Sequence, residues 1–326
     1  MKVHAILLGC GLAVCGLTHC ASEGPPPAGS IRLVDPVAVA YNNKAKAAES
    51  RKDWKGAIKQ YKYLIERCPL AQETPAARFR LGQLYEMTND PIAAFEAYQK
   101  LVEKHHGSEL YKAALDRQLA IALAAANGAL KNKVFWLWDV NMDPAIVIKW
   151  LNSIRDNAPY NELAAMTTYV LGKYLIDRDR PDEARMAYQK LVENYPQSKY
   201  APEAQLMVAR IWSDSHTKGN QNQVNLANAQ EAYEEFCLRF PDHPDAKKAR
   251  EGVSSMRSLL VRQQLDVGEY YLTRAKDMNA AVFCFEDVIR NEAQNPEAAA
   301  KARKHLAAIR GHAAKQGNAT AKADKQ

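Results

Sequence analysis

The stretch Leu171–Pro196, LGKYLIDRDRPDEARMAYQKLVENYP, recurs in recognisable form along most of the chain, and a recurring unit of this kind leaves few folds open. Gly172 follows Leu171, Leu175 comes one helical turn later, and Arg180-Pro181 breaks the run. Ala184, Tyr188 and Leu191 then stand at i, i+4 and i+7, the spacing of one apolar stripe on a helix. Pro196 closes the unit. Gly172 and Ala184 are small where two helices must approach closely. The pattern predicts a helical hairpin.

Five further segments fit the same template. The first has Ala45, Ala57, Tyr61, Leu64 and Pro69, and the second has Leu81-Gly82, Tyr85, Ala94, Tyr98 and Leu101. The third has Leu119-Ala120 and Leu123, a long insertion, then Val147, Leu151, Ile154 and Pro159. The fifth has Ala209 and Trp212, a polar insertion, then Ala229, Tyr233, Phe236 and Pro241. The sixth has Val267-Gly268, Tyr271, Ala281, Phe285 and Val288; it needs one extra residue and lacks the closing proline. Leu-Gly-x-x-Tyr, then Ala-x-x-x-Tyr/Phe, then Pro, at a period of about 34 residues, resembles the tetratricopeptide repeat. That resemblance implies an all-α fold, a right-handed superhelical solenoid of about six helical hairpins with a C-terminal capping helix.

Length alone would allow about two domains, but stacked repeats make one continuous body. With 47% hydrophobic and 25% charged residues the chain can bury a core. We expect a signal peptide at 1–19, a flexible tether at 20–35, the solenoid at 36–311, and a disordered basic tail at 312–326. Insertions fall near 127–143 and 213–225.

The signal reading rests on one lysine followed by VHAILLGCGLAVCGLTH, an apolar run too short to span a bilayer. The run ends at Cys20, and Leu17-Thr18-His19-Cys20 resembles the bacterial lipobox, which makes Cys20 the candidate lipidation site, carrying palmitate or a similar acyl chain. His19 stands where a small residue is usual, which leaves cleavage after Ser22 or use of Cys10 open. The segment ASEGPPPAGS that follows has linker composition, and Ala21 after the cysteine resembles outer-membrane sorting. The expected location is the outer membrane, lipid-anchored on the periplasmic side. Cys68, Cys237 and Cys284 are odd in number, lie in three different repeats, and read as buried small hydrophobes.

Two insertions interrupt the template. NGALKNKVFWLWDVNM carries Phe135, Trp136, Leu137 and Trp138 in succession, too close together to form one helix face. Phe135, Trp136 and Trp138 are therefore the candidate partner-binding residues, as an anchor for a partner or as a plug over the hydrophobic edge between repeats. SDSHTKGNQNQVN reads as a solvated loop. A last helix is expected from Pro296 to about Arg310, capping the repeats.

Chemistry is hard to find in this sequence. His105-His106 lack metal-site spacing, no Cys-x-x-Cys occurs, and no nucleophile elbow, P-loop or dinucleotide fingerprint appears. Tyr61, Tyr98, Tyr188 and Tyr233 share one template position and read as packing. We expect no enzyme activity, no cofactor and no metal. The net charge of +7 is scattered rather than gathered into a stripe, which argues against nucleic acid.

Further motifs narrow the family. Tyr195-Pro196-Gln197-Ser198-Lys199-Tyr200, Phe240-Pro241-Asp242-His243-Pro244, Tyr270-Tyr271 and Ala280-Ala281-Val282 resemble, in order and spacing, the BamD family of outer-membrane assembly lipoproteins. The likeness covers roughly 164–309. It implies non-catalytic scaffolding in β-barrel insertion: N-terminal repeats receiving unfolded barrel clients, C-terminal repeats docking the periplasmic domains of a barrel-forming insertase. Phe283-Cys284 stands where that family often has Asn-Arg. An alternative is a tetratricopeptide adaptor that coordinates peptidoglycan synthesis or another periplasmic complex.

Overall fold

The computed structural model describes residues 34–134, 138–218 and 223–323. Cys20 and the signal segment lie outside the described residues, as do Phe135 and Trp136. By its internal contacts the chain divides after Ala77.

The first unit holds one helical hairpin, α1 (Pro36–Ser50) and α2 (Trp54–Arg67). Ala45, Ala57, Tyr61 and Leu64, the positions named by the template, are all buried. The Tyr61 hydroxyl donates to Glu49 at 2.8 Å. Cys68 ends α2 in a buried site, and that burial pushes its thiol up from the ordinary range.

In the second unit, α3 (Thr74–Met87, whose first turn belongs to the first unit) and α4 (Pro91–Lys104) form a hairpin. α5 (Tyr111–Ala126) and α6 (Pro144–Asn157), α7 (Glu162–Ile176) and α8 (Pro181–Asn194), and α9 (Ala201–Lys218) and α10 (Gln223–Arg239) follow. α11 (Ala246–Tyr270) runs into a π-helical turn at Tyr271–Ala275, pairs with α12 (Met278–Arg290), and α13 (Pro296–Ala323) closes the series. From α4 onward each helix packs on the one before it and the one after it, the linear contact pattern of a repeat array. The fold is an all-α array of hairpins with a terminal helix, as the template predicts. A continuous apolar cluster runs from Ala94 on α4 to Ala232 on α10, and a separate one joins α11, α12 and α13 around Phe285 and Leu306.

The recurrent contact is a small residue under an aromatic ring. A Cβ added to Gly82 would lie 2.5 Å from the Tyr98 ring, one on Gly172 2.6 Å from Tyr188, and one on Gly268 2.7 Å from Phe285. Only a bare Cα permits the approach. Around it, the hairpin turns repeat a device: Lys52, Asn89, Asp179 and Lys276 all sit in the left-handed region, at φ of 57–59°. The next residue is the N-cap of the second helix, and Asp53, Asp90 and Asp277 cap it by accepting from the backbone N–H three residues on. Arg180 occupies that place before α8 without a capping bond; Pro181 opens the helix instead, and Arg180 pairs with Glu183 at 2.6 Å.

The extra residue of the sixth unit is taken up by the π-helical turn at Tyr271–Ala275, which delays the left-handed residue by one position and still brings Gly268 under Phe285. Four expectations need correction. In α5 the buried residues are Ala114, Leu115, Gln118, Ile121, Ala122 and Ala125, while Ala120 is exposed, so the helix is turned by two residues from the predicted register. Its stretch LAIALAAA offers several apolar stripes, and packing selects among them. The segment expected as a loop at 213–225 is helical up to Lys218 and again from Gln223. The insertion near 127–143 contains two strands, described below. α13 continues to Ala323, through sequence whose composition predicts disorder.

Candidate partner-binding surfaces

The inserted segment between α5 and α6 forms an antiparallel ribbon of β1 (Lys131–Val134) and β2 (Trp138–Asn141). Its register pairs Lys131 with Asn141, Asn132 with Val140, Lys133 with Asp139 and Val134 with Trp138. Both roots are fixed. Gly128 turns the chain with φ of 73°, the Ala129 N–H donates to the Ala124 carbonyl at 2.8 Å, and Leu130 packs against the main cluster. Met142, on the other side, is buried. A two-stranded ribbon is marginal alone, and here the body of the repeat supports it. Of the candidate residues predicted from sequence, Trp138 lies on β2.

A second surface lies at the C-terminal end. α12 buries Ala281, Cys284, Phe285 and Val288, which leaves Phe283 on the other side of the helix, 64% exposed. Phe283 lines a groove of about 680 Å³ between α12 and α13, with Ile289, Leu306 and Ala307 along it. Three arginines stand at its rim, and each has a carboxylate: Arg290 with Asp287 at 3.2 Å, Arg310 with Glu286 at 3.8 Å, and Arg303 with Glu292. The Arg303 guanidinium holds the Glu292 carboxyl below its usual range. With the rim neutralised, the groove offers apolar contact. An exposed aromatic beside a groove is the kind of residue that dominates binding energy when covered. Sequence inspection names Phe283 only as a departure from a family pattern, because whether it faces outward depends on which face of α12 the array covers.

The titratable groups are arranged for packing. Burial pushes the phenols of Tyr98, Tyr188 and Tyr233 up from their ordinary range, and for Tyr98 a 2.6 Å bond donated to Glu86 adds to it. They stay neutral. Burial and the nearby charge of Arg78 hold the His105 imidazole below its usual range. Cys68 and Cys284 are buried, Cys237 is half-buried, and all three are free thiols. Among the described residues, no group of three His, Cys, Asp or Glu could hold a metal ion, and no helix is long and apolar enough to cross a membrane.

Residues 76–108 and 169–198 match the family model described as Tetratricopeptide repeat. No curated protein matches the sequence. Among solved structures, the chain is similar to the C-terminal part of a TPR repeat-containing protein from Cytophaga hutchinsonii, at 16% identity over 80% of this chain and 86% of that one, with a TM-score of 0.34. MamA matches at 19% identity over 63% of this chain and 95% of its own, TM-score 0.29. YrrB, described as a TPR protein with an unusual peptide-binding site, matches at 17% over 66% and 92%, TM-score 0.30. The two matched segments carry the small-residue-under-aromatic contact at Gly82–Tyr98 and Gly172–Tyr188, and both matches fall on helical hairpins.

Proposed function

We propose that this chain is a non-catalytic adaptor of the bacterial envelope, lipid-anchored at Cys20 on the periplasmic side of the outer membrane, with a role like that of BamD in inserting β-barrel proteins. Tetratricopeptide hairpins present surfaces for protein partners, which supports an adaptor. The observation that carries the finer reading is Phe283, exposed over the α12–α13 groove within the stretch that resembles the BamD family. Where that family often has Asn-Arg, this chain offers an aromatic ring and a rim of matched charges. The contact with a barrel-forming insertase is then apolar rather than ionic.

The test is affinity purification of the full chain from membranes, beside Phe283→Asp. The expected result is an outer-membrane β-barrel protein with periplasmic repeats captured by the parent and lost from the variant, at unchanged helix content. Capture of peptidoglycan synthases instead would assign the chain to the alternative adaptor role. Cys20→Ala should move the protein to the soluble fraction; equal incorporation of labelled palmitate by the variant would exclude Cys20 as the anchor.

A further inference from the structure

The excess positive charge reads as scattered along the sequence, but the fold gathers part of it on the first hairpin. Residues 36–67 hold eight Lys or Arg and three Asp or Glu, a net charge of +5 against +7 for the full chain. Val37, Tyr41 and Lys44 stand at i, i+4 and i+7 on α1, and Lys59, Tyr63 and Arg67 at i, i+4 and i+8 on α2, so each set shares one helix face. The two faces meet. The Tyr41 and Tyr63 rings lie 5.9 Å apart, and the Arg67 guanidinium stands over both, at 6.0 Å and 5.7 Å. Lys44 stands over Tyr41 at 5.7 Å and Lys59 over Tyr63 at 5.8 Å. Val37, Lys44, Lys59 and Arg67 are exposed, and the two tyrosines are half-buried.

These cations lack what basic residues at the other end of the chain have. On α13, Lys301 pairs with Glu297 at 2.8 Å, Arg310 with Glu286 at 3.8 Å, and Arg303 with Glu292. Lys44, Lys59 and Arg67 form no ion pair among the described residues. The Asp35 carboxylate beside them accepts from the Val37 and Ala38 N–H groups, at 2.9 Å and 3.3 Å, and Glu66, seven residues after Lys59, is the acidic group on this face of α2. A cation over an aromatic ring is positioned without being neutralised. Uncompensated Lys and Arg over tyrosines, beside an exposed valine, match the headgroup layer of a bilayer: the cations meet lipid phosphates, and the phenols meet the boundary between polar and apolar.

We propose that this face of the first hairpin rests on the anionic phospholipid surface of the membrane that anchors the chain. The inference rests on the reading of Cys20 as the lipid anchor. On that reading only the tether at 20–35 separates the anchor from α1; it reaches at most about 50 Å when extended and roughly 20 Å as a flexible coil. The face is thus held close to the headgroups at high effective concentration. Three cations hold a free chain weakly and release it in salt, so the face orients the hairpin and does not replace the anchor. Release of the Cys20→Ala variant is accordingly read after a salt wash.

The test uses the chain from Ala21, which contains every described residue and lacks the anchor. It is titrated at low salt with vesicles of phosphatidylcholine, alone or mixed with phosphatidylglycerol. Expected are binding to the anionic vesicles only, its loss in high salt, and binding weaker by at least about tenfold in the triple variant Lys44→Gln, Lys59→Gln, Arg67→Gln. A control, Lys100→Gln, Lys149→Gln, Lys190→Gln, removes the same charge from exposed positions on α4, α6 and α8, and should bind within about twofold of the parent. All six residues are exposed, so circular dichroism should be unchanged in both variants. Equal losses in the two variants, equal binding to neutral vesicles, or sedimentation with peptidoglycan sacculi that alone depends on Lys44, Lys59 and Arg67 would each overturn the proposal. If vesicle binding is absent while labelled palmitate still enters at Cys20, the inference falls and the anchor stands; vesicle binding without acylation keeps the face and removes the anchor.

Discussion

One substitution, tyrosine to phenylalanine, should have opposite consequences at two equivalent positions. Tyr98 and Tyr188 both lie under a glycine and are both fully buried. The Tyr98 hydroxyl donates to Glu86 at 2.6 Å, and Glu86 also holds Arg117 of α5. Glu86 stands four residues after Gly82. Ile176 stands four residues after Gly172, and the Tyr188 hydroxyl is buried with no partner. A hydrogen bond to a charged group contributes about 1.5–3 kcal/mol, and an orphaned buried hydroxyl costs about 1–3 kcal/mol. Because Glu86 keeps Arg117 when the phenol is removed, Tyr98→Phe should lose about 1.5 kcal/mol, near the lower end. Tyr188→Phe removes an unpaid desolvation and should leave stability unchanged or raise it by up to about 1 kcal/mol. Urea titration reads the difference, with Trp150, stacked 4.7 Å from Phe95, reporting on α4 and α6, and Trp212, under Arg185 at 4.2 Å, reporting on α8 and α9. A urea slope of about 2 kcal/mol/M turns the Tyr98 loss into a midpoint lowered by about 0.75 M. Equal losses in the two variants would refute the argument, because they would show that both hydroxyls have partners.

The glycine contacts predict that Gly172→Ala, whose new Cβ meets the Tyr188 ring at 2.6 Å, costs about 1–3 kcal/mol. Gly311→Ala, with open space around it on α13, gains up to about 1 kcal/mol; thermal unfolding that ranks them the other way would contradict the packing. For α5, Ala122→Leu should destabilise by about 1–3 kcal/mol while Ala120→Leu changes little, and equal urea midpoints would restore the register expected from sequence. His105 titrates below its usual range in the native state, so the stability it contributes is complete above about pH 6.5 and is lost as pH falls through the depressed native value. Hydrogen-exchange protection factors in the last turn of α4, which divide out the intrinsic slowing of exchange in acid, should fall on acidification, and His105→Gln should flatten that acid limb; an unchanged slope in the variant would exclude His105 as its source.

The fold was legible where one residue type carries one geometric demand. Gly82, Gly172 and Gly268 each precede an aromatic ring by nearly the same interval, and only close helix contact explains a glycine inside an otherwise apolar helix. Legibility failed in α5, whose second half from Leu119 is Ala and Leu apart from Ile121, so that several stripes are equally apolar; there the neighbouring helices decide. It failed again at Gly252, on the following helix, which the template passes over and where an added Cβ would lie 2.9 Å from the Tyr233 ring. The binding surfaces were less legible still. Phe135, Trp136 and Trp138 stand out in the sequence as clustered aromatics, whereas Phe283 is an ordinary residue of an amphipathic helix. What marks it is exposure, which depends on the neighbours the array supplies.

The departures from the repeat converge on the surfaces that can bind. Each is absorbed away from the small-residue-under-aromatic contact, where even an added Cβ would lie under 3 Å from the ring. The first insertion becomes a ribbon rooted by Leu130 and Met142. The second adds turns to the end of α9 and the start of α10, so that Gln223 and Val224 extend one wall of a cleft of about 610 Å³ between α10 and α12. The extra residue of the last hairpin becomes a π-helical turn that precedes the α12–α13 groove and leaves Gly268 and Phe285 in contact. Conserving the packing contact while displacing every irregularity outward gives the chain three non-repeating surfaces on a repeating frame. A repeating frame alone would offer the same shallow face at each hairpin; the irregularities are what allow different partners to be told apart.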